Sequence, residues 1–333
     1  MIATLLEGHE LSEAQAEEIF ARLVAGQLSE VETAALLVAL KLRGESPAVM
    51  AGAARAMRAA AGTFEAGIAV ADSCGTGGDG AHTFNVSTAA ALVAAECGVP
   101  VAKHGNRSVS SRCGSADVLE TLGIDLEASA DASRRALADA GVCFLYAPAW
   151  HSGLRHAAPV RRALGVRTVL NLLGPLVNPA RPRWQVVGVY DARWCVPMAE
   201  TLGRLGCASA LVVNGDGLDE IALHGPTSAA LLRDGDVRAL TFTPHDAGLP
   251  VYGIERLAGG DVAENAQLLT DLLQGRGDEA HVAAVAINAG ALLWVAGQAA
   301  DLAEGTARAL DVLRTDRAWL RFERWRGTLR GTR

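Results

Sequence analysis

Four segments of the 333-residue chain concentrate residues that could do chemistry. The first is Gly75-Thr76-Gly77-Gly78-Asp79-Gly80, which runs on to Asn85-Val86-Ser87-Thr88. Gly75, Gly77 and Gly80 satisfy a formal GxGxxG, a weak signal taken alone. The next helix does not open at the third glycine, and no Gly-Lys-Ser/Thr follows, so this is neither a dinucleotide fingerprint nor a Walker loop. A broader reading remains. Glycines let backbone amides crowd an anion, and the first turn of a helix starting at Asn85 offers free amides and hydroxyls to a phosphate. A plain tight turn is the competing reading. The second segment, Lys103-His104-Gly105-Asn106-Arg107-Ser108-Val109-Ser110-Ser111, is dense in donors suited to charge-assisted bonds with an anionic sugar phosphate. Of the 30 basic residues only Lys41 and Lys103 are lysines, so a compact ammonium at position 103 stands out against an arginine background. The third is Asp219-Glu220, a carboxylate pair suited to Mg²⁺, which takes one or two carboxylates together with substrate phosphate oxygens. The fourth holds His151, Arg155, His156, Arg161, Arg162 and Arg167 and runs into 171–179. One of its arginines could grip a carboxylate in bidentate fashion, but periodicity does not choose which. No spacing suggests Ser-His-Asp or Cys-His catalysis.

These segments need a scaffold, and the hydrophobic pattern supplies one. Residues 1 to about 63 read as helical. Ser12 with Gln15 and Ser29 with Glu32 have capping-box spacing, Ser46-Pro47 opens another helix, and Gly26, Gly44 and Gly62 stop them. From residue 68 short apolar runs alternate with helical stretches. Strands are expected at 68–71, 99–102, 142–146, 185–190 and 208–213, with helices at 87–97, 116–122, 132–140 and 196–205. Such alternation predicts an α/β fold: a small N-terminal helical domain plus a large α/β domain with a central, mostly parallel sheet. The helix at 155–164 is expected to return to the helical lobe. This divides the chain into 1–66, joined by 155–180, and 67–333. The tail reads as helical at 265–273, 280–296 and 302–313. The glycine, lysine and acidic segments then follow strands, at the sheet edge where α/β proteins bind ligands.

Composition narrows the class. The net charge of −7 argues against bulk nucleic-acid binding. Half the residues are hydrophobic, enough for a sizeable core. The N-terminal residues lack a basic n-region, and the apolar stretch at 282–295 is too short to span a membrane, so neither a signal peptide nor a membrane anchor is expected. Six cysteines without CxxC or zinc spacing read as reduced cytoplasmic thiols.

With these motifs in this order, the chain resembles the anthranilate phosphoribosyltransferase family of the tryptophan pathway. The matching segments are 75–79, 85–88, 103–111, 114–123, 161–179 and 217–220. The resemblance implies a cytoplasmic homodimer joined through its helical domains, acting on phosphoribosyl pyrophosphate and anthranilate. It implies that Gly75, Gly78, Asp79, Thr83 and Asn85 to Thr88 cradle the donor, with Lys103, His104, Gly105, Asn106, Arg107, Ser108, Val109, Ser110, Ser111 and Ser115 closing on it. Two Mg²⁺ per subunit are implied, one touching Ser87 and one at Asp219 and Glu220. Gly75, Asn106 and Arg161 would contact anthranilate, with His104 and His151 lining its path. No catalytic acid or base is assigned. The alternatives are a pyrimidine nucleoside phosphorylase-like enzyme, which would need no metal carboxylates, and a non-catalytic nucleic-acid-binding paralogue. The chain departs from the family pattern at Arg112-Cys113 and at Ser152-Gly153-Leu154.

Overall fold

The computed structural model describes residues 1–62, 64–108 and 113–330. Val109, Ser110 and Ser111, named above as donor-binding, lie outside the described residues. Four helices open the chain: α1 (Ile2–Leu6), α2 (Glu13–Val24), α3 (Glu30–Arg43) and α4 (Pro47–Ala60). Ser12 and Ser29 form reciprocal capping boxes with Gln15 and Glu32, and Ser46 caps α4. Each cap satisfies amides that a helix start leaves without partners.

The rest is built on one sheet. In chain order come β1 (Ala71–Gly75), α5 (Val86–Glu96), β2 (Val101–Gly105), α6 (Ser115–Thr121), α7 (Ala130–Ala140) and β3 (Val142–Tyr146). The short helices α8 (Ala147–Trp150) and α9 (Ala158–Leu164) lead to β4 (Trp184–Gly188), α10 (Cys195–Arg204) and β5 (Ser209–Asn214). Then follow β6 (Thr227–Arg233), β7 (Asp236–Phe242), α11 (Val262–Leu273), α12 (Glu279–Val295), α13 (Leu302–Leu313) and α14 (Arg317–Arg330). The sheet order is β3-β2-β1-β4-β5-β6-β7; the first five strands are parallel and the last two antiparallel.

The strands alternate their side chains between two apolar cores, as a two-residue period requires. Val186, Leu211 and Val213 face a core with α5, α12 and the C-terminal helices. Val187, Val189, Ala210 and Val212 face the other, which also takes in α2–α4 and residues 157–177. The first helices are thus packed on the sheet's second face through α10 and the 157–177 segment. Arg58 of α4 reinforces this contact by donating to the Leu176 carbonyl at 2.8 Å.

The first two strands lie further along the chain than the apolar pattern suggested. β1 begins at Ala71 rather than 68, where Ile68 is half exposed. β2 runs to Gly105 rather than ending at 102. Asp72, Ser73, Lys103 and His104 are therefore strand residues, buried despite their polarity because each finds partners inside. The β6–β7 hairpin and α14 were absent from the sequence reading. The hairpin had a signal: Asp234-Gly235, with φ of +54° and +86°, is the Asp-Gly turn that joins antiparallel strands.

Candidate active site

Strand order reverses between β1 and β4, so their carboxyl ends open a crevice, the standard ligand position in an open α/β sheet. Gly75 and Gly188 end these two strands and pair directly. Their missing side chains leave a notch that the backbone of residue 219 fills. A Cβ on Gly188 would lie 1.6 Å from the Asp219 carbonyl oxygen, and one on Gly75 would lie 2.1 Å from Asp219 Oδ2. Two glycines thus fix where the acidic pair sits.

From that notch Asp219 Oδ2 accepts from the Gly77 amide at 2.7 Å, joining the acidic segment to the glycine loop. Asp79 accepts from the amides of Ala81 at 3.1 Å and Asp219 at 3.4 Å. Three carboxylates, Asp79, Asp219 and Glu220, share this corner. Burial first, and then the Asp79 charge, push the Asp219 carboxyl up. Burial and the Asp219 charge push Glu220 up, partly offset by Lys103 and by the Ser87 amide at the start of α5. Crowded carboxylates that resist ionising together are a donor set suited to a divalent cation, which removes the repulsion. Among the described residues no three His, Cys, Asp or Glu side chains are arranged to hold a metal ion unaided. A hard cation at this corner would need further oxygen ligands beyond these carboxylates to complete its shell.

Lys103 is 3% exposed. Its Nζ donates to the Ser73 carbonyl at 2.5 Å and to Ser87 Oγ at 3.3 Å, tying β2 to β1 and to the first turn of α5. The next residue points to the opposite face, as strand alternation demands. His104 is buried there, and its Nδ1 lies 3.2 Å from the Gly174 carbonyl. A carbonyl only accepts, so Nδ1 carries the proton and Nε2 keeps its lone pair. The His151 ring makes an edge-on contact with it at 5.2 Å. Burial holds both imidazoles neutral, pushing His104 down to about 3 and His151 to about 4. Adjacent strand residues therefore serve two sides: Lys103 with Ser87 and the acidic corner, His104 with the second histidine and the 171–179 segment.

Asp72 underlies this division. Its carboxylate accepts from the His104 amide at 3.1 Å and from Asn178 Nδ2 at 2.8 Å, and Asn178 Nδ2 also donates to Ala102 O at 2.8 Å. Neither residue was singled out from sequence. Asp117 is a second omission. It accepts from the amides of Ser108 and Gly114 and from Arg107, and so shapes the segment after β2. Arg107 is occupied there, bonding Glu120 at 2.7 and 2.9 Å as well as Asp117, and turns towards α6 rather than the crevice. Asn106 accepts from the Arg107 amide and, through its carbonyl, from Ser115 Oγ at 3.3 Å. Asn85 donates to the Cys113 carbonyl. Thr83 pairs with Ala258 and Val86 is buried in the core, so they hold the glycine loop's far end in place. Thr88 is buried in the first turns of α5.

Among the arginines, the structure separates 161 from its neighbours. Arg161 on α9 is partly buried, and burial alone lowers its pKa, with no carboxylate opposing it. A cation in that state is receptive to an incoming anion.

Comparison with known proteins adds the chemistry's context. The α/β domain model of a glycosyl transferase family matches residues 67–319, and its helical bundle domain model matches residues 1–61. A Sorangium cellulosum (strain So ce56) protein named anthranilate phosphoribosyltransferase is 59% identical over 326 residues, 98% of this chain and 94% of the relative. The chain belongs to the anthranilate phosphoribosyltransferase family. The crystal structure of the family member from Thermus thermophilus has a TM-score of 0.94 at 47% identity, covering 99% of both chains. The Saccharomyces cerevisiae anthranilate phosphoribosyltransferase, in complex with PRPP and Mg, has a TM-score of 0.88 at 25% identity, covering 99% of this chain and 97% of that one. The helical-plus-α/β architecture of this anthranilate phosphoribosyltransferase family member is thus shared along nearly its whole length.

Proposed function

We propose that this chain transfers the phosphoribosyl group of phosphoribosyl pyrophosphate to anthranilate, releasing pyrophosphate. The observation that carries this reading is the meeting, at the β1/β4 crevice, of the glycine loop, the buried Lys103 and the Asp219-Glu220 pair. The amine nitrogen forms a bond to ribose C1 while the C1–oxygen bond to pyrophosphate breaks, and the amine then loses a proton. An aromatic amine is already neutral at pH 7, so no strong base is required. The demanding part is the departure of a polyanion as positive charge grows on the ribose, and fixed donors aimed at that charge meet it best.

The glycine-loop amides, Asp79, Thr83 and Asn85 to Thr88 take the donor's phosphates and ribose. Lys103, through Ser87, lies where the leaving charge collects. His104, Gly105, Asn106, Arg107, Ser108 and Ser115 shape the covering segment, with Arg107 acting through Asp117 and Glu120. Ser87 would hold one Mg²⁺ and Asp219 with Glu220 the other; when bound, they would supply positive charge to offset that of the pyrophosphate. Arg161 receives the anthranilate carboxylate, beside Asn106 and Gly75, with the neutral His104 and His151 lining the route. The working unit is a cytoplasmic homodimer. Residues 1–66, joined by 155–180, form the helical domain and 67–333 the catalytic one. Leu6, Val31 and Leu42, each at least 70% exposed on or beside α1 and α3, support a dimer through the helical lobe. Loss of anthranilate fluorescence on adding donor and Mg²⁺, abolished by chelator, tests the proposal; full activity in chelator would favour the phosphorylase reading.

A further inference from the structure

Arg167 joins the two halves of the site. It lies in the short link between α9, which carries Arg161, and the turn at 169–171. Both ends of that link are held. Gly165, with φ of +60°, closes α9 by donating to the Arg161 carbonyl at 3.2 Å. The Thr168 amide donates to Asn171 Oδ1 at 3.0 Å, and Thr168 is buried. From this fixed base the exposed Arg167 side chain reaches across the crevice mouth. Its guanidinium stacks on the Tyr190 ring, 4.2 Å from the centroid, and donates to the carbonyl of Gly78. Tyr190 is itself tied to the glycine loop. Its amide donates to Thr76 Oγ1 at 3.2 Å, and the Thr76 amide donates to Gly188 O at 2.9 Å.

We propose that Arg167 is a positioning residue that couples the acceptor side to the donor loop. The bond to the Gly78 carbonyl ties Arg167 to the glycine loop. Because Arg161 and Arg167 share one short, closed unit, an acceptor carboxylate that settles Arg161 also settles the bond to Gly78. A donor that orders the loop does the converse, since coupling between two binding sites is reciprocal. A planar guanidinium suits this role: it stacks and donates at once, which an ammonium does not.

The inference rests on the proposed function, and its test keeps the two apart. Calorimetric titration of the whole chain gives the affinity for anthranilate with and without pyrophosphate and Mg²⁺, which stand in for the donor at the glycine loop because donor and anthranilate together would react. Wild-type protein is expected to bind anthranilate about fivefold or more tightly when pyrophosphate and Mg²⁺ are present, the lower end of typical coupling. In Arg167→Ala that enhancement falls to about one, while donor and acceptor affinities measured separately change less than about threefold. Arg167→Lys loses most of the enhancement. Tyr190→Phe keeps it, because the ring remains, and Tyr190→Leu weakens it. Circular dichroism confirms the fold of each variant, and the exposed position of Arg167 leaves the core untouched. Enhancement that survives in Arg167→Ala, or is absent from an active wild type, overturns the coupling. A variant that loses only donor affinity also overturns it, by making Arg167 a plain phosphate contact. A wild type with no transferase activity would instead count against the proposed function.

Discussion

Gly75→Ala replaces one hydrogen with a methyl group, and the structure fixes where it goes. The new Cβ would stand 2.1 Å from Asp219 Oδ2 and 2.6 Å from its Cγ. Ordinary contact needs about 3.5 Å, so the carboxylate must retreat by about 1.4 Å. The backbone cannot share that movement freely, because the 219 carbonyl is wedged over Gly188. The side chain therefore leaves, and the 2.7 Å bond from the Gly77 amide breaks. A hydrogen bond to a charged group contributes about 1.5–3 kcal/mol, and a 1 Å misplacement in a reacting site costs about a hundredfold in rate. Gly75→Ala should thus lower kcat/KM about a hundredfold and raise the Mg²⁺ concentration needed for half-maximal rate, with a wild-type circular dichroism spectrum. The assay is anthranilate fluorescence followed across a Mg²⁺ titration. A wild-type rate with a wild-type Mg²⁺ midpoint would refute the argument that the glycine notch places Asp219 for the metal.

Three further outcomes follow from the same geometry. Lys103→Arg should lower both turnover and Tm, because the site is 3% exposed and overpacking costs about 1–3 kcal/mol; an unchanged Tm and rate would contradict the buried-ammonium role. Arg161→Ala should raise KM for anthranilate about tenfold or more while leaving the donor's KM within about twofold, as expected when one charge-assisted contact is lost; the reverse pattern would place Arg161 on the donor side. His104→Asn should flatten the acid limb of stability. In the folded chain His104 is pushed down to about 3, against an ordinary value of 6.5. Below pH 6.5 the unfolded chain takes a proton that the folded chain refuses, so stability is full above 6.5 and falls as pH drops towards 3. The slope is about 1.4 kcal/mol per pH unit. Urea unfolding of both proteins at pH 7 and 5 measures the difference, and parallel losses would show that His104 is accessible to protons.

How much of this was legible beforehand depends on which physical signal each feature leaves. The helix starts at Ser12, Ser29 and Ser46 were readable because a cap is local: a hydroxyl, an amide and three residues of spacing. The glycine loop, Lys103 and Asp219-Glu220 were readable by residue type, and the structure brings them to one crevice. Strand limits were less legible because β1 and β2 contain Asp72, Ser73, Lys103 and His104, polar residues that an apolar-run criterion leaves out. Their burial depends on partners far away in sequence, such as Asn178 for Asp72, and no local pattern announces such a pair. Asp117 escaped notice for the same reason: as one more acid on a helix it looks like solvated charge until the amides of Ser108 and Gly114 are seen to converge on it. Arg107 shows the converse, a cation in a promising loop that is already engaged by Asp117 and Glu120. Four arginines between 155 and 167 look alike in sequence; only burial and the reach of each side chain distinguish Arg161 and Arg167.

The function turns on one exchange at this crevice, of a C1–oxygen bond to pyrophosphate for a C1–nitrogen bond to anthranilate. It is tested most directly by following both products of one reaction mixture containing the purified chain, phosphoribosyl pyrophosphate, anthranilate and Mg²⁺. One pyrophosphate should be released for each anthranilate converted to a phosphoribosyl adduct detected by mass, with both ceasing on addition of chelator. Adduct formation that continues in chelator, or pyrophosphate release without any adduct, would contradict it.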